Sequence, residues 1–135
     1  MPFDENIPEN LRIQLTGLLG PGMMHNRVMR FDELYESLPK DASVQVGIYT
    51  SEIAPGGQTS WHLHNGPAFF LVLQGRVAIE FKDSTRHYQA GDAYVEPIGV
   101  IHRATNPEPE IPFICVGFTI TPKDRDPVVN VKEPW

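Results

Sequence analysis

The sequence predicts an all-β fold in a single domain, and three observations predict it. About nine or ten short segments have strand-like alternation and are separated by turn signals. Thirteen prolines and eleven glycines are spread along the chain, which favours frequent turns over a low-complexity tract. The length of 135 residues, with 41% hydrophobic and 21% charged residues, is typical of one globular domain with one core.

The first third of the chain predicts two strands and one short helix. Apolar and polar residues alternate over residues 11–15, and a second strand is expected at residues 25–31. Residues 31–39 carry apolar side chains at helical spacing, with Asp32 as the N-cap and Pro39 at the end. We therefore expect N-terminal strands within residues 1–30, followed by one short helix.

From Ser43 onward the pattern is that of strands throughout. Period-two alternation is clear where Val44, Val46 and Ile48 share one face. The tail, residues 121–135, is expected to hold one edge strand near residues 128–131. The predicted strands before the tail are 43–53, 59–64, 68–73, 76–81, 86–92, 93–97, 99–104 and 111–120.

Charge, cysteine content and hydropathy exclude several function classes. The formal net charge is −6, so the basic surface that a nucleic acid or an anionic membrane needs is missing from the sequence. The single cysteine, Cys115, excludes a disulfide framework. The acidic start has no signal-peptide pattern, and no apolar run reaches the roughly 20 residues of a membrane span. We expect a cytoplasmic protein.

Two histidines stand one residue apart in the segment "TSWHLH". Residues i and i+2 of a strand point to the same side, so the rings of His62 and His64 can converge on one point. Taken alone, the pair fits two exposed histidines at least as well as a metal site. A second segment, residues 91–106, favours the metal site, because it combines two turns and a strand with His102.

These two segments resemble the signature motifs of the cupin superfamily. Residues 91–106 resemble the second motif, G-x5-P-x-G-x2-H-x3-N, without exception. Residues 56–75 resemble the first motif, G-x5-H-x-H-x3,4-E-x6-G, at both glycines and both histidines. The resemblance implies a cupin β-barrel, or jelly roll, in which residues 1–135 form one domain. It also implies structural roles for the motif glycines and a backbone-bonding role for Asn106.

The chain departs from the first motif at its glutamate. Position 68, which is separated from Gly75 by the six residues of the motif, is alanine, and its side chain cannot bind a metal. The resemblance therefore implies a divalent transition metal bound by His62, His64 and His102, with open positions for solvent, oxygen or substrate. Iron is favoured, while nickel, zinc, copper and manganese stay open.

Five further residues are expected near that site. Gln58 and Ser60 share the alternation of the histidines, Ala68 and Phe70 continue an apolar wall, and Glu96 stands at a strand end as an acceptor for a ligand histidine. Each also fits an ordinary core or surface position.

The function that the resemblance implies is enzymatic. We expect a metal-dependent enzyme, a dioxygenase, that acts on a small organic molecule as a homodimer. A lyase or isomerase, a non-enzymatic sensor or storage protein, and a vestigial barrel without function at the metal site stay open as alternatives. No nucleic-acid or membrane partner is expected.

Overall fold

The computed structural model describes residues 43–135, and nine strands account for the regular structure in this range. No helix occurs among them, so the predicted all-β class is confirmed for the part of the chain that is described. In chain order the strands are β1 (Val44–Ile53), β2 (His62–His64), β3 (Ala68–Gln74), β4 (Arg76–Glu80), β5 (Thr85–Gln89), β6 (Ala93–Glu96), β7 (Arg103–Thr105), β8 (Phe113–Pro122) and β9 (Val128–Asn130).

The strands form three antiparallel groups. The largest sheet has four strands in the order β1-β8-β3-β6, and a three-stranded sheet has the order β5-β4-β7. Strands β2 and β9 form the remaining pair, with His62 opposite Asn130 and His64 opposite Val128. The expected edge strand of the tail thus exists, and its partner is the strand that carries both histidines.

A compact apolar core lies between the sheets. Side chains from five strands pack together there. In β8 buried residues mostly alternate with more exposed ones, as the sequence predicts, whereas β4 is buried at three consecutive positions. The core members are Val72, Val77, Ile79, Tyr94, Ala104, Phe113 and Cys115. The lone cysteine is therefore a buried core residue, as single buried cysteines usually are.

Turn glycines set the connections between the strands that carry the site. Within residues 43–135, the four glycines with positive φ all belong to the two motif segments, among them Gly91 at 92° and Gly99 at 71°. Other residues resist this left-handed region, so the predicted roles of the motif glycines as turn formers are confirmed. The backbone N–H of Gly99 donates to the carbonyl of His64 over 2.8 Å, which fastens this turn to β2.

Several predictions fall outside the described range. The strands expected within residues 1–30 and the short helix at residues 31–39 lie outside the described residues, and the assignment of residues 1–135 to one domain stays a prediction. Within residues 43–135, no helix is long and apolar enough to cross a lipid bilayer.

Candidate metal centre

The three motif histidines meet because two strand segments pair through their backbones. Strand β2 points His62 and His64 to one side, and both side chains are buried. His62 and His102 exchange both backbone hydrogen bonds, at 3.0 and 2.9 Å, which places His102 directly beside β2. The ring centroids lie 4.4 Å apart for His62–His102 and 5.1 Å apart for both pairs with His64.

A fourth side chain, Glu96, completes the cluster. It ends β6, where it lies opposite Ala68 of β3, and only 3% of it is exposed. Its Oε2 atom lies 2.5 Å from Nε2 of His64 and 2.6 Å from Nε2 of His102. One potential ligand atom from each of these four side chains lies within 4.8 Å of the other three. The name "four-residue cluster" below means His62, His64, Glu96 and His102.

This arrangement corrects the prediction of a histidine-only site. Position 68, where the cupin motif has its glutamate, is alanine, but the residue directly opposite it in the sheet is an acid. Cross-strand neighbours have Cβ atoms only about 4.5–5.5 Å apart. A carboxylate on β6 therefore reaches the place that the motif's glutamate would reach from β3.

Backbone carbonyls fix the orientation of all three rings. The Nδ1 atoms contact the carbonyl oxygens of Ser60, Pro127 and Val100 at 2.7, 3.1 and 2.8 Å, for His62, His64 and His102 in turn. A carbonyl oxygen only accepts, so each Nδ1 carries a proton and donates it. In the neutral form of a ring the Nε2 atom then keeps its lone pair, which is the arrangement that metal-binding histidines usually have.

Burial and mutual contact shift the pKa values within the cluster. Burial alone would raise the pKa of Glu96, but the hydrogen bonds and charges of His102 and His64 outweigh it and lower that pKa to about 2. Burial also lowers the pKa of His102, yet its hydrogen bond to Glu96 leaves it raised above the usual value of 6.5. His62, which makes no such bond, has its pKa lowered by burial. The carboxylate thus stays ionised and attracts positive charge.

The donor set fits a cation. With Nδ1 bonded to the carbonyls, a carboxylate oxygen of Glu96 lies close to the Nε2 atoms of His64 and His102 in a buried place. Oxygen and nitrogen lone pairs at this distance repel one another unless a proton, which makes the contact a hydrogen bond, or a metal ion lies between them. Three imidazoles and one carboxylate are ligands that divalent transition metals accept. The four-residue cluster could therefore hold one such ion.

A cavity of about 460 Å³ opens onto this cluster. His62, His64 and Glu96 line it, whereas His102 is completely buried behind them. Much of the remaining wall is apolar or aromatic, and that mixture is typical of small-molecule sites. A ligand in the cavity would face three of the four cluster side chains.

The five other residues that the sequence suggested lie in different places. Ser60, Phe70 and Glu96 line the cavity, and the hydroxyl of Ser60 donates to Oδ1 of Asn130 over 2.9 Å. Ala68 is fully buried and is not among the lining residues. Gln58 is exposed and away from the cavity, because β2 begins only at His62 and strand alternation does not extend back to residue 58.

Sequence reasoning missed the role of the tail and underweighted Glu96. The carbonyl of Pro127 holds His64 through a contact 63 residues apart in the chain, and no local pattern signals it. Glu96 did carry a signal, since it shares the face of Tyr94, a core residue two positions earlier.

Asn106 has the structural role that the sequence predicts. Its side-chain amide donates to the carbonyls of Ile53 and Ile111, at 3.0 and 2.9 Å, and its Oδ1 accepts from the N–H of Glu108. It bonds backbone and takes no part in the four-residue cluster.

Parts of this chain are similar in sequence to curated proteins. The chain is 34% identical over 65 residues to the uncharacterized protein YdbB of Bacillus subtilis (strain 168), a match that covers 47% of this chain and 52% of YdbB. Across the curated relatives that it matches, the chain spans from 4% to 52% of their length.

Two solved structures are representative. A cupin-like protein from Thermotoga maritima superposes with a TM-score of 0.57 at 23% identity, covering 64% of each chain, and shows the fold alone. The polyketide cyclase RemF from Streptomyces resistomycificus superposes with a TM-score of 0.54 at 26% identity, covering 66% of this chain and 64% of RemF.

A family model settles the classification. The model described as "Cupin domain" matches residues 49–118, which is just over half of the 135-residue chain and includes the whole four-residue cluster. Since the strand order, the motif turns and the clustered histidines agree with this match, the chain belongs to the cupin family.

Proposed function

We propose that this cupin is a metal-dependent enzyme that acts on a small organic molecule, with a dioxygenase as the reaction type. The observation that carries the proposal is the four-residue cluster at the wall of a cavity of about 460 Å³. A structural metal site is closed on all sides by protein, whereas a catalytic site keeps one side open to substrate. Here the open side is the cavity.

The four-residue cluster would hold one divalent transition metal. The ligand atoms would be the Nε2 atoms of His62, His64 and His102 and a carboxylate oxygen of Glu96. Iron is the favoured ion, and nickel, zinc, copper and manganese suit the same donors. The carboxylate cancels one of the two positive charges, so the site attracts an oxygen-donor ligand less strongly than a histidine-only site would. When bound, the metal supplies Lewis acidity and, if it is redox-active, a place for oxygen chemistry.

The cavity offers few other groups for acid–base chemistry. Among the described lining residues the carboxylates are Glu96, bonded to two histidines, and the exposed Glu52. Burial, with the nearby charge of Glu96, raises the pKa of Tyr94 well above 10, so its hydroxyl stays protonated. This scarcity of proton-transfer groups supports chemistry centred on a metal over chemistry carried out by side chains.

A reaction without oxygen is the second candidate. RemF, one of the similar structures, is a polyketide cyclase, and its likeness supports Lewis-acid chemistry of the lyase or isomerase kind. The non-enzymatic sensor or storage protein stays the third candidate, because the same cavity would hold a ligand without converting it.

The test begins with protein purified without a metal-affinity tag or chelator. We expect one transition-metal ion per chain. In a panel of β-diketones and related compounds, we expect the enzyme to convert at least one compound and to consume oxygen stoichiometrically as it does so. Turnover that persists without oxygen would replace the dioxygenase by the lyase or isomerase. A full metal complement with no turnover would favour the binding protein, and a protein without metal would refute the proposal.

Two further properties belong to the proposal. We expect a homodimer located in the cytoplasm, as the sequence suggests. Light scattering coupled to size-exclusion chromatography would test the first point by giving twice the 15.2 kDa mass of the chain, whereas a monomer mass would refute it.

A further inference from the structure

One row of residues across the four-stranded sheet forms an aromatic surface inside the cavity. Tyr49 of β1 lies opposite Gly117 of β8, Gly117 lies opposite Phe70 of β3, and Phe70 lies opposite Tyr94 of β6. The three ring-bearing residues of this row all line the cavity. The name "aromatic wall" below means Tyr49, Phe70 and Tyr94.

Two of the three rings of this wall, Phe70 and Tyr94, are held in place by stacking. Phe70 and Tyr94 stack with centroids 5.1 Å apart and planes 18° apart. Tyr94 in turn stacks on Tyr88, with centroids 4.3 Å apart and planes 9° apart. Offset-stacked rings stabilise one another, so the stack presents Phe70 in a fixed orientation.

Glycine makes room for this arrangement. A Cβ atom on Gly117 would lie 2.8 Å from Cε1 of Phe70, so any larger residue would displace that ring. A Cβ atom on Gly47 would likewise overlap the ring of Tyr49. Rings backed by glycine lie close to the sheet and leave space in front of them for a flat ligand.

The charge of the lining argues against a polyanionic ligand. Among the described residues that line the cavity there is no lysine or arginine, and the two carboxylates are Glu52 and Glu96. A ligand with phosphate groups or several carboxylates would enter without a side-chain cation and would meet Glu52 at an exposed position. The positive charge within reach would be that of the bound metal.

We propose that the cavity binds an uncharged, flat, ring-bearing organic molecule, whose oxygen-donor end faces the four-residue cluster and whose ring lies against the aromatic wall. The volume of about 460 Å³ suits a molecule of one or two rings, because ligand pockets span roughly 300–1,000 Å³. This inference rests on the proposed function, since the oxygen-donor end needs a metal in the cluster.

The test uses zinc-loaded protein, because zinc is not redox-active and leaves the probes unconverted. Isothermal titration calorimetry would compare three β-diketones with the same chelating end: acetylacetone, benzoylacetone and benzoylacetone with a carboxylate at the para position of its ring. We expect benzoylacetone to bind at least about 10-fold more tightly than acetylacetone through ring contact. The para carboxylate should remove that gain.

Variants separate the wall from the metal. Phe70→Leu and Gly117→Ala should each lower the affinity for benzoylacetone about 10-fold and change the affinity for acetylacetone little, with zinc content unchanged. Phe118→Leu is the matched control, because Phe118 adjoins Gly117 on β8 but points away from the cavity. Glu52→Gln should restore part of the affinity for the carboxylated probe.

Two results would overturn the inference while leaving the proposed function intact. One is a zinc-loaded protein that binds acetylacetone as tightly as benzoylacetone. The other is a carboxylated probe that binds as tightly as its uncharged parent. A protein that retains no zinc would instead overturn the proposed function, and this inference with it.

Discussion

The acid of the four-residue cluster, Glu96, lies on β6, whereas the cupin motif has its glutamate at position 68 on the neighbouring strand β3. This difference in position leads to a quantitative prediction. Glu96 and Ala68 are direct partners of β6 and β3. In the variant Glu96→Ala we expect metal affinity to fall by more than about 100-fold, because loss of even an outer-shell partner costs about 10–100-fold and Glu96 is an inner, charged donor. The double variant Ala68→Glu with Glu96→Ala should regain part of this loss by moving the carboxylate across the strand pair.

The metal-free protein gives a second measure of the same contact. The pKa of Glu96 is lowered from 4.5 to about 2, and each unit of pKa corresponds to about 1.4 kcal/mol. The ionised carboxylate therefore stabilises the metal-free fold by about 3 kcal/mol. Glu96→Gln, which keeps the shape of the side chain and removes its charge, should lower the free energy of unfolding at pH 6 by about 3 kcal/mol.

The assay pairs competitive metal titration with urea unfolding of the metal-free protein. Glu80→Gln is the matched control, because Glu80 also ends a strand and pairs with Arg103 outside the cluster. It should leave the metal dissociation constant unchanged. Two results would refute the view that positions 68 and 96 can supply the same metal ligand. One is an unchanged metal dissociation constant in Glu96→Ala, and the other is a double variant that binds the metal more weakly than Glu96→Ala does.

Three other predictions concern the cluster and its supports. His102→Ala should abolish metal retention and leave the circular dichroism spectrum intact, whereas the exposed His87→Ala should change neither; full metal content in His102→Ala would contradict the ligand assignment. Gly75→Ala should lower the unfolding free energy by about 1–3 kcal/mol, because φ is 78° there and the added Cβ would lie 2.8 Å from the carbonyl oxygen of Pro112; an unchanged urea midpoint would show that this strain is absent. Because the pKa of Glu96 is depressed, its stabilisation of the metal-free protein is present above pH 4.5 and should be lost as pH falls towards 2; acid unfolding of Glu96→Gln over the same range should lack this component.

Local patterns predicted most of the described architecture. Short strand-like segments between turn signals indicated the nine strands of the described range, and the motif glycines marked the turns that deliver His62, His64 and His102. These features depend on a few neighbouring residues, so one sequence is enough to infer them.

Features that depend on register between distant strands were not predictable in the same way. The place of Glu96 in the cluster follows from its pairing with Ala68, which is 28 positions earlier in the chain. The hydrogen bond between His64 Nδ1 and the carbonyl oxygen of Pro127 follows from the pairing of β9 with β2. Gln58 shows the converse error, because alternation was extended beyond the end of a strand.

The outer face of β1 shows a further limit of periodicity. Val44, Val46 and Ile48 do share one face, yet they are 44%, 65% and 68% exposed in the structure. Alternation identifies the two faces of a strand, but which face is buried depends on what packs against it. The opposite face of this strand carries Tyr49 of the aromatic wall, which lines the cavity and is itself 46% exposed.

The central claim is that one divalent metal ion is bound by four side chains from three separate strand segments. X-ray diffraction with anomalous data collected across the edges of iron, nickel, copper, zinc and manganese would test it most directly. The account predicts a single anomalous peak within bonding distance of Nε2 of His62, His64 and His102 and of a carboxylate oxygen of Glu96. A peak that leaves out Glu96, or no peak in crystals of protein supplied with these metals, would contradict it.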